Sequence, residues 1–430
     1  MLASRENSKR SSQWILRMIA LSTLLLALPL GVLADKKKAD ATPHVPKRVG
    51  VDISKLIWPQ PPAITRLRYL DLYSGEKIDW AKLYSANKTR QKQTWKDRLA
   101  GSDPTKGTDQ ERIKMPFQLL VPLGVTSDSK GNFYIADAGV GAIFVYNVEQ
   151  KTTELIKNGE AMNMGEIVGL AMDDGDQLFV SDAKFKQVDV LVKKNNQWER
   201  VDVLGKGELI SPAGVAIDRE NRFLYVVDTQ ADQVLVYDAD KFTLLRKIGT
   251  TGKKHTLTDA GNFSLPTHAA VDKDGNVYVT DTLNARVEVF DADGQFIREF
   301  GKPGDGLGQF SKPKGIAIDR DGHVWVADEM LNRVQVLTNE GQPLMWFGVE
   351  GTLPGQFEGV YDITIDSKDR VITTEQFPAR TQIFQYVNDA AAAEEQKQKE
   401  QEREQRAQER QQKAATQAPA APPAEGTSPK

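Results

Sequence analysis

Two acidic residues, nine positions apart, recur six times along this chain of 430 residues. The first of each pair is Asp128, Asp173, Asp218, Asp272, Asp319 and Asp366; the second is Asp137, Asp182, Asp228, Asp281, Asp328 and Glu375. Successive first acids lie 45, 45, 54, 47 and 47 residues apart, and only the third pair is spaced by 10. A fixed period of this length restricts the chain to folds built from one repeated supersecondary unit. In the fourth copy the unit runs from Pro266 to Phe290 and in the fifth from Pro313 to Leu337.

Each unit reads as strands. Val277 to Thr280 and Val324 to Ala327 are rich in β-branched and aromatic residues. Asp272-Lys-Asp-Gly and Asp319-Arg-Asp-Gly are hairpin turns, with the glycine supplying a positive φ. A third strand follows at Arg286 to Phe290 and a fourth at Phe296 to Phe300. Four short antiparallel strands every ~45 residues predict blades of a β-propeller. The sixth copy supplies three strands, ending near Val387, and the chain then turns polar. Residues 63–74, with Thr65-Arg-Leu-Arg-Tyr-Leu-Asp-Leu-Tyr73, match the pattern of an outer strand and are expected to complete the sixth blade, leaving no open sheet edge at the closure. The fold class is therefore all-β: a six-bladed β-propeller over residues 117–387.

These residues resemble NHL repeats. The shared pattern is Pro-x-Gly-apolar-Ala-apolar-Asp, then Gly-x-apolar-Tyr-Val-x-Asp, then Asn-x-Arg-apolar-x-apolar-Phe. The linkers Phe300-Gly-Lys-Pro-Gly304 and Phe347-Gly-Val-Glu-Gly351 fit as well. Copies three to five carry the likeness most fully; Ala142 and Gln187 replace the arginine in copies one and two, and Glu375 replaces the second aspartate in copy six. The resemblance implies a six-bladed, TolB-like propeller, and ligand or protein binding more often than catalysis. Trp58-Pro-Gln-Pro-Pro62, ahead of the closing strand, resembles bacterial exported propellers of this type.

The segments outside the ring have their own character. Arg5, Lys9, Arg10 and Arg17 precede an apolar run from Met18 to Leu30, and Val32-Leu33-Ala34 offers small residues to a signal peptidase. Residues 1–34 are thus expected to be a leader cleaved after Ala34, which makes the mature protein periplasmic or secreted. No second apolar stretch follows, so no membrane span is expected after cleavage. Residues 35–62 read as a polar linker, and residues 75–116 as a partly helical insertion around Trp80 and Trp95. Residues 388–430 read as a charged, solvated helix without an apolar stripe, followed by a Pro/Ala-rich disordered tail.

The composition excludes several chemistries. No cysteine is present, so disulfides, thiolate metal sites and cysteine nucleophiles are impossible. A formal net charge of -3 argues against a nucleic-acid partner. No phosphate-binding Gly-Lys-Ser/Thr motif occurs, and the Asp-x-Asp-Gly turns lack the later ligands of a calcium loop. Both acidic series are expected to cap turns. Candidate site residues are those entering the innermost strands: Leu123/Gly124, Val168/Gly169, Ala213/Gly214, Thr267/His268, Lys314/Gly315 and Tyr361/Asp362. Four pairs end in glycine; His268, Lys314, Tyr361 and Asp362 form the polar exception and are expected at the channel mouth. NHL-like amidating lyases place zinc on histidines from separate blades, but His255, His268 and His323 fall at places that do not converge. Gluconolactonase-type enzymes need Glu, Asn and Asp around one metal; only Asp362 stands at a matching entry.

The expectation is a non-catalytic binding or scaffolding propeller, monomeric and without cofactor, serving protein partners in the cell envelope or a small ligand. The alternative is a metal-dependent hydrolase or lyase using His268 and Asp362. The resemblance also allows a place beside envelope electron-transfer or surface complexes.

Overall fold

A computed structural model of the protein describes residues 51–60, 63–76, 117–157, 163–249 and 259–416. The expected leader, most of the linker, the insertion beyond Glu76, His255 and the Pro/Ala-rich tail lie outside the described residues.

The six repeats fold into six antiparallel sheets. In the fourth blade, Pro266–Val271, Val277–Asp281, Arg286–Phe290 and Phe296–Phe300 pair in sequence order. The first acid of each repeat holds the hairpin turn beside it. Asp272 Oδ1 accepts the N–H groups of Asp274 and Asn276, each at 2.9 Å, while Gly275 turns the chain at φ +81°. Asp128, Asp319 and Asp366 do the same in their blades. The second acid reaches further. It fastens the segment that leads into its own blade: Asp137 accepts Leu120 N–H at 2.7 Å, Asp228 accepts Ile210 at 2.7 Å, Asp328 accepts Ser311 at 2.7 Å and Glu375 accepts Glu358 at 3.1 Å. Buried carboxylates persist only when donors satisfy them in this way. The arginine of the repeat joins in at two blades, with Arg286 on Asp281 and Arg380 on Glu375, both at 2.9 Å, whereas Arg333 of the fifth blade donates instead to the Gly306 carbonyl at 2.9 Å. Gln233 stands at that position in the third blade, so the arginine is replaced in three blades rather than two.

Apolar side chains fill the seams between blades. Trp325, Phe347, Phe357 and Phe384 pack in the seam of blades five and six, and Phe133, Phe144, Ile372 and Ile383 in that of blades six and one. Each such side chain, removed from water, is worth about 1.5–3 kcal/mol. Hydrogen bonds also cross the closing seam: Thr374 Oγ1 to the Leu123 carbonyl at 2.5 Å, and Arg370 to the Gly131 carbonyl at 2.9 Å.

The closing strand Leu67–Tyr73 pairs with Arg380–Tyr386, running from Leu67 opposite Tyr386 to Tyr73 opposite Thr381. One element is additional. Ile57–Trp58 pairs outside the closing strand, so the sixth sheet has five strands and part of the segment read as a linker is structured. Trp58 is there because its ring meets Phe384 and Phe347, with centroids 5.8 and 5.9 Å away.

The C-terminal helix Asp389–Thr416 begins against the closing strand. Arg66 pairs with Asp389, Arg68 Nη2 donates to Glu395 Oε1 at 2.7 Å, and Ala392 is buried between them. The expectation of a solvated helix therefore holds from Gln396 to Arg410, which are exposed, but not within the first two turns. Among the described residues no helix is long and apolar enough to cross a membrane.

Candidate functional site: the axial channel

The innermost strands turn one edge toward the axis, and each carries a β-bulge at the same place. The register shifts between Pro122 and Val125, Ile167 and Leu170, Pro212 and Val215, Pro266 and Ala269, Pro313 and Ile316, and Val360 and Ile363. The bulged positions form a waist: Gly124, Gly169, Gly214, His268, Gly315 and Asp362. Neighbouring strands come so close there that a Cβ on Gly169 would lie 2.3 Å from the Ala213 carbonyl oxygen, and one on Gly315 2.5 Å from Asp362 Cα. Glycine is required by this approach. His268 and Asp362 each have glycine on both sides in the ring, and that leaves room for their side chains over the axis.

Thr280 and Thr374, on the second strands of these two blades, donate from Oγ1 to the Lys314 and Leu123 carbonyls of the following blade, while accepting the N–H groups of His268 and Asp362 at 3.0 and 3.1 Å. Ser181 does the same between blades two and three. The waist backbone is thereby fixed.

His268 Nε2 lies 3.8 Å from Asp362 Oδ1, too far for a hydrogen bond. Neither ring nitrogen of His268 has a hydrogen-bond partner, although only 4% of the residue is exposed. Asp362 accepts Val125 N–H at 2.9 Å and Ile363 N–H at 2.8 Å. Burial outweighs these donors and pushes its carboxyl up to about 7. Burial, with the charge of Lys314, pulls the His268 imidazole down to about 3. The pair is thus a neutral histidine facing a reluctant anion.

Tyr361 and Lys314 sit one level above. The Tyr361 ring meets His268 edge-on at 5.2 Å, and Lys314 Nζ lies 4.3 Å above the Tyr361 ring and 3.2 Å from Glu329. Burial holds the Lys314 amine below its ordinary value, against Glu329. The sequence places all four residues at the channel mouth; in the structure they lie together, His268 and Asp362 at the waist and Lys314 and Tyr361 just before it. Tyr361 crosses the axis to join Leu123, Val168 and Ala213 in an apolar plug. Beneath it the waist opens into a cavity of ≈170 Å³ on the side of the hairpin turns, lined among others by Thr126, Ile217, Ile318, Thr364 and Arg219. The bulges and the hydroxyl ties carry no sequence signal that singles them out; the glycine ring does.

The donor set does not match a three-histidine zinc site. Of the histidines in the described residues, His268 is at the waist, whereas His323 is in a turn, its Nδ1 3.0 Å from Asp319 Oδ2 and 3.2 Å from the Tyr386 hydroxyl. Nor do glutamate and asparagine join Asp362 at the waist.

A family model described as SMP-30/Gluconolactonase/LRE-like region matches residues 191–307, and the NHL repeat model matches residues 310–337. Peptidyl-glycine alpha-amidating monooxygenase B of Xenopus laevis is 27% identical over 168 residues, which are 34% of this chain and 19% of that protein. The chain thus spans about a fifth of the length of this curated relative. Among solved structures, a Bacteroides thetaiotaomicron protein of unknown function aligns with TM-score 0.51 and 17% identity, covering 62% of this chain and 70% of that one. Virginiamycin B lyase from Staphylococcus aureus aligns with TM-score 0.44 and 16% identity, covering 60% and 78%. At such identity the first likeness is one of fold, and the second carries no argument.

Proposed function

We propose that this chain, an NHL-repeat six-bladed β-propeller, is a non-catalytic scaffolding disc of the periplasm or cell envelope that docks a protein partner on the face where its inner strands begin. One observation carries the reading. Around the plugged end of the axis, Leu120, Ile210, Leu283, Met330 and Phe377 are exposed by 57, 46, 55, 66 and 62%. They come from five different blades. The opposite face presents Lys130, Arg219, Lys273, Asp274, Arg320 and Lys368 in its hairpin turns. Large apolar side chains gathered on one rigid face, each held by the fastened segment beside it, fit association with another protein. Export is supported by the leader at residues 1–34. Within the channel, no nucleophile and base stand in hydrogen-bond reach among the described residues.

The test is crosslinking of the full chain in its native envelope, comparing wild type, Met330→Glu/Phe377→Glu and Lys273→Glu/Arg320→Glu. The same crosslinked partner should appear with wild type and the turn-face variant and be lost with the apolar-face variant. Retention of that partner by the apolar-face variant overturns the reading.

A further inference from the structure

The waist holds a buried acid without a cation and a buried base without a partner. Among the described residues, His268 is the only basic side chain within 4.0 Å of Asp362, and it makes no hydrogen bond there. Each Asp362 oxygen takes one backbone N–H, from Val125 or Ile363, leaving a further lone pair on each. A nitrogen placed about 2.9 Å from both His268 Nε2 and Asp362 Oδ1 would span their 3.8 Å gap with two N–H bonds. The walls below add the channel-facing backbone of six strand edges, and the plug of Leu123, Val168, Ala213 and Tyr361 closes the far side. A cavity of ≈170 Å³ has room for a small organic cation together with water.

We propose that this blind channel, entered from the turn face, is a binding site for a small primary ammonium, with Asp362 as counter-ion and neutral His268 as second acceptor. A second anion is repelled by Asp362. A quaternary ammonium carries the charge but lacks the N–H groups the two acceptors require. The inference is independent of the protein-docking face, because it uses the other end of the axis.

The experiment is titration of the full chain with methylammonium chloride, against tetramethylammonium chloride and sodium chloride at equal ionic strength. The readout is the ring-proton resonance of His268, one of only 4 histidines in the chain. Methylammonium should move that resonance saturably and raise the melting temperature, whereas the other two salts should do neither. Asp362→Asn should weaken the methylammonium response at least tenfold. Equal responses to methylammonium and tetramethylammonium, or an unmoved His268 resonance in wild type, overturn the proposal. Should Asp362→Asn fail to fold, the salt comparison on the unmodified chain decides. A His268 shift with zinc or calcium that methylammonium cannot reproduce also overturns it, and assigns the waist to a metal.

Discussion

The two ends of the axial channel are made by the same six strands and have opposite chemistry. Just before the waist, the inward positions are Leu123, Val168, Ala213, Thr267, Lys314 and Tyr361, and four of them collapse into a plug. At the waist four of the six side chains shrink to glycine, with His268 and Asp362 set among them, and beyond it small and branched residues such as Ala171, Ala216, Ala270 and Ala317 leave the channel open. One residue of offset therefore separates a sealed apolar end from a polar blind end. The repeat fixes the geometry; the individual departures from it decide which end is open.

The largest test of this contrast is Gly315→Val. An added Cβ lies 2.5 Å from Asp362 Cα, so the blades must part at the waist. The expected loss is about 3 kcal/mol or more in urea unfolding, the scale of severe overpacking. Unchanged stability would mean that the waist is not tightly closed. Next in size is Tyr361→Ala, which takes away the ring that crosses the axis. A loss of about 3 kcal/mol is expected from the cavity left behind. The same variant should join the two ends into one passage, seen as faster exchange of the Thr280 and Thr374 hydroxyl-tied amides of His268 and Asp362.

The pH dependence sharpens the comparison at the polar end. Asp362 is raised from 3.8 to about 7, so the fold favours its protonated form; that contribution is complete below pH 3.8 and is lost as pH rises through about 7. His268 is lowered from 6.5 to about 3, so its contribution is complete above pH 6.5 and is lost as pH falls through about 3. Asp362→Asn should then gain on wild type between about pH 4 and 7, by at most about 1.4 kcal/mol per pH unit, and level off above that, in melting curves taken across that range. His268→Gln should flatten the acid limb instead. The smallest effect belongs to the exposed apolar face: Met330→Ser should change stability by no more than about 0.5 kcal/mol, because the residue is largely exposed.

The ring itself was legible because its signals are repeated. Two acids at constant spacing, an Asp-Gly turn and a β-branched strand occur in successive copies, and the shortage of one outer strand at Tyr386 points to the surplus one at Leu67–Tyr73. The strand at Ile57–Trp58 was hidden, since two residues followed by proline carry no periodicity; its place is set by the aromatic contacts of Trp58 with Phe347 and Phe384. The docked start of the helix was hidden for a related reason: one buried alanine, Ala392, and two ion pairs leave no stripe to read. At the site, the identity of His268, Lys314, Tyr361 and Asp362 as exceptions among glycines and aliphatics was visible. Their depth was not, because whether Tyr361 points outward or across the axis depends on the size of Leu123, Val168 and Ala213 from blades far away in sequence.

The two strands that close the circle meet at one edge: Val387 N–H donates to the Arg66 carbonyl at 2.8 Å, with Leu67 opposite Tyr386 beside it. Tension applied through the two chain ends therefore loads a single rung at a time, as in opening a zip, instead of sharing the load along the whole ladder. The salt links from Arg66 and Arg68 to the helix straddle that first rung, and so stand between a pulled terminus and the loss of the circle.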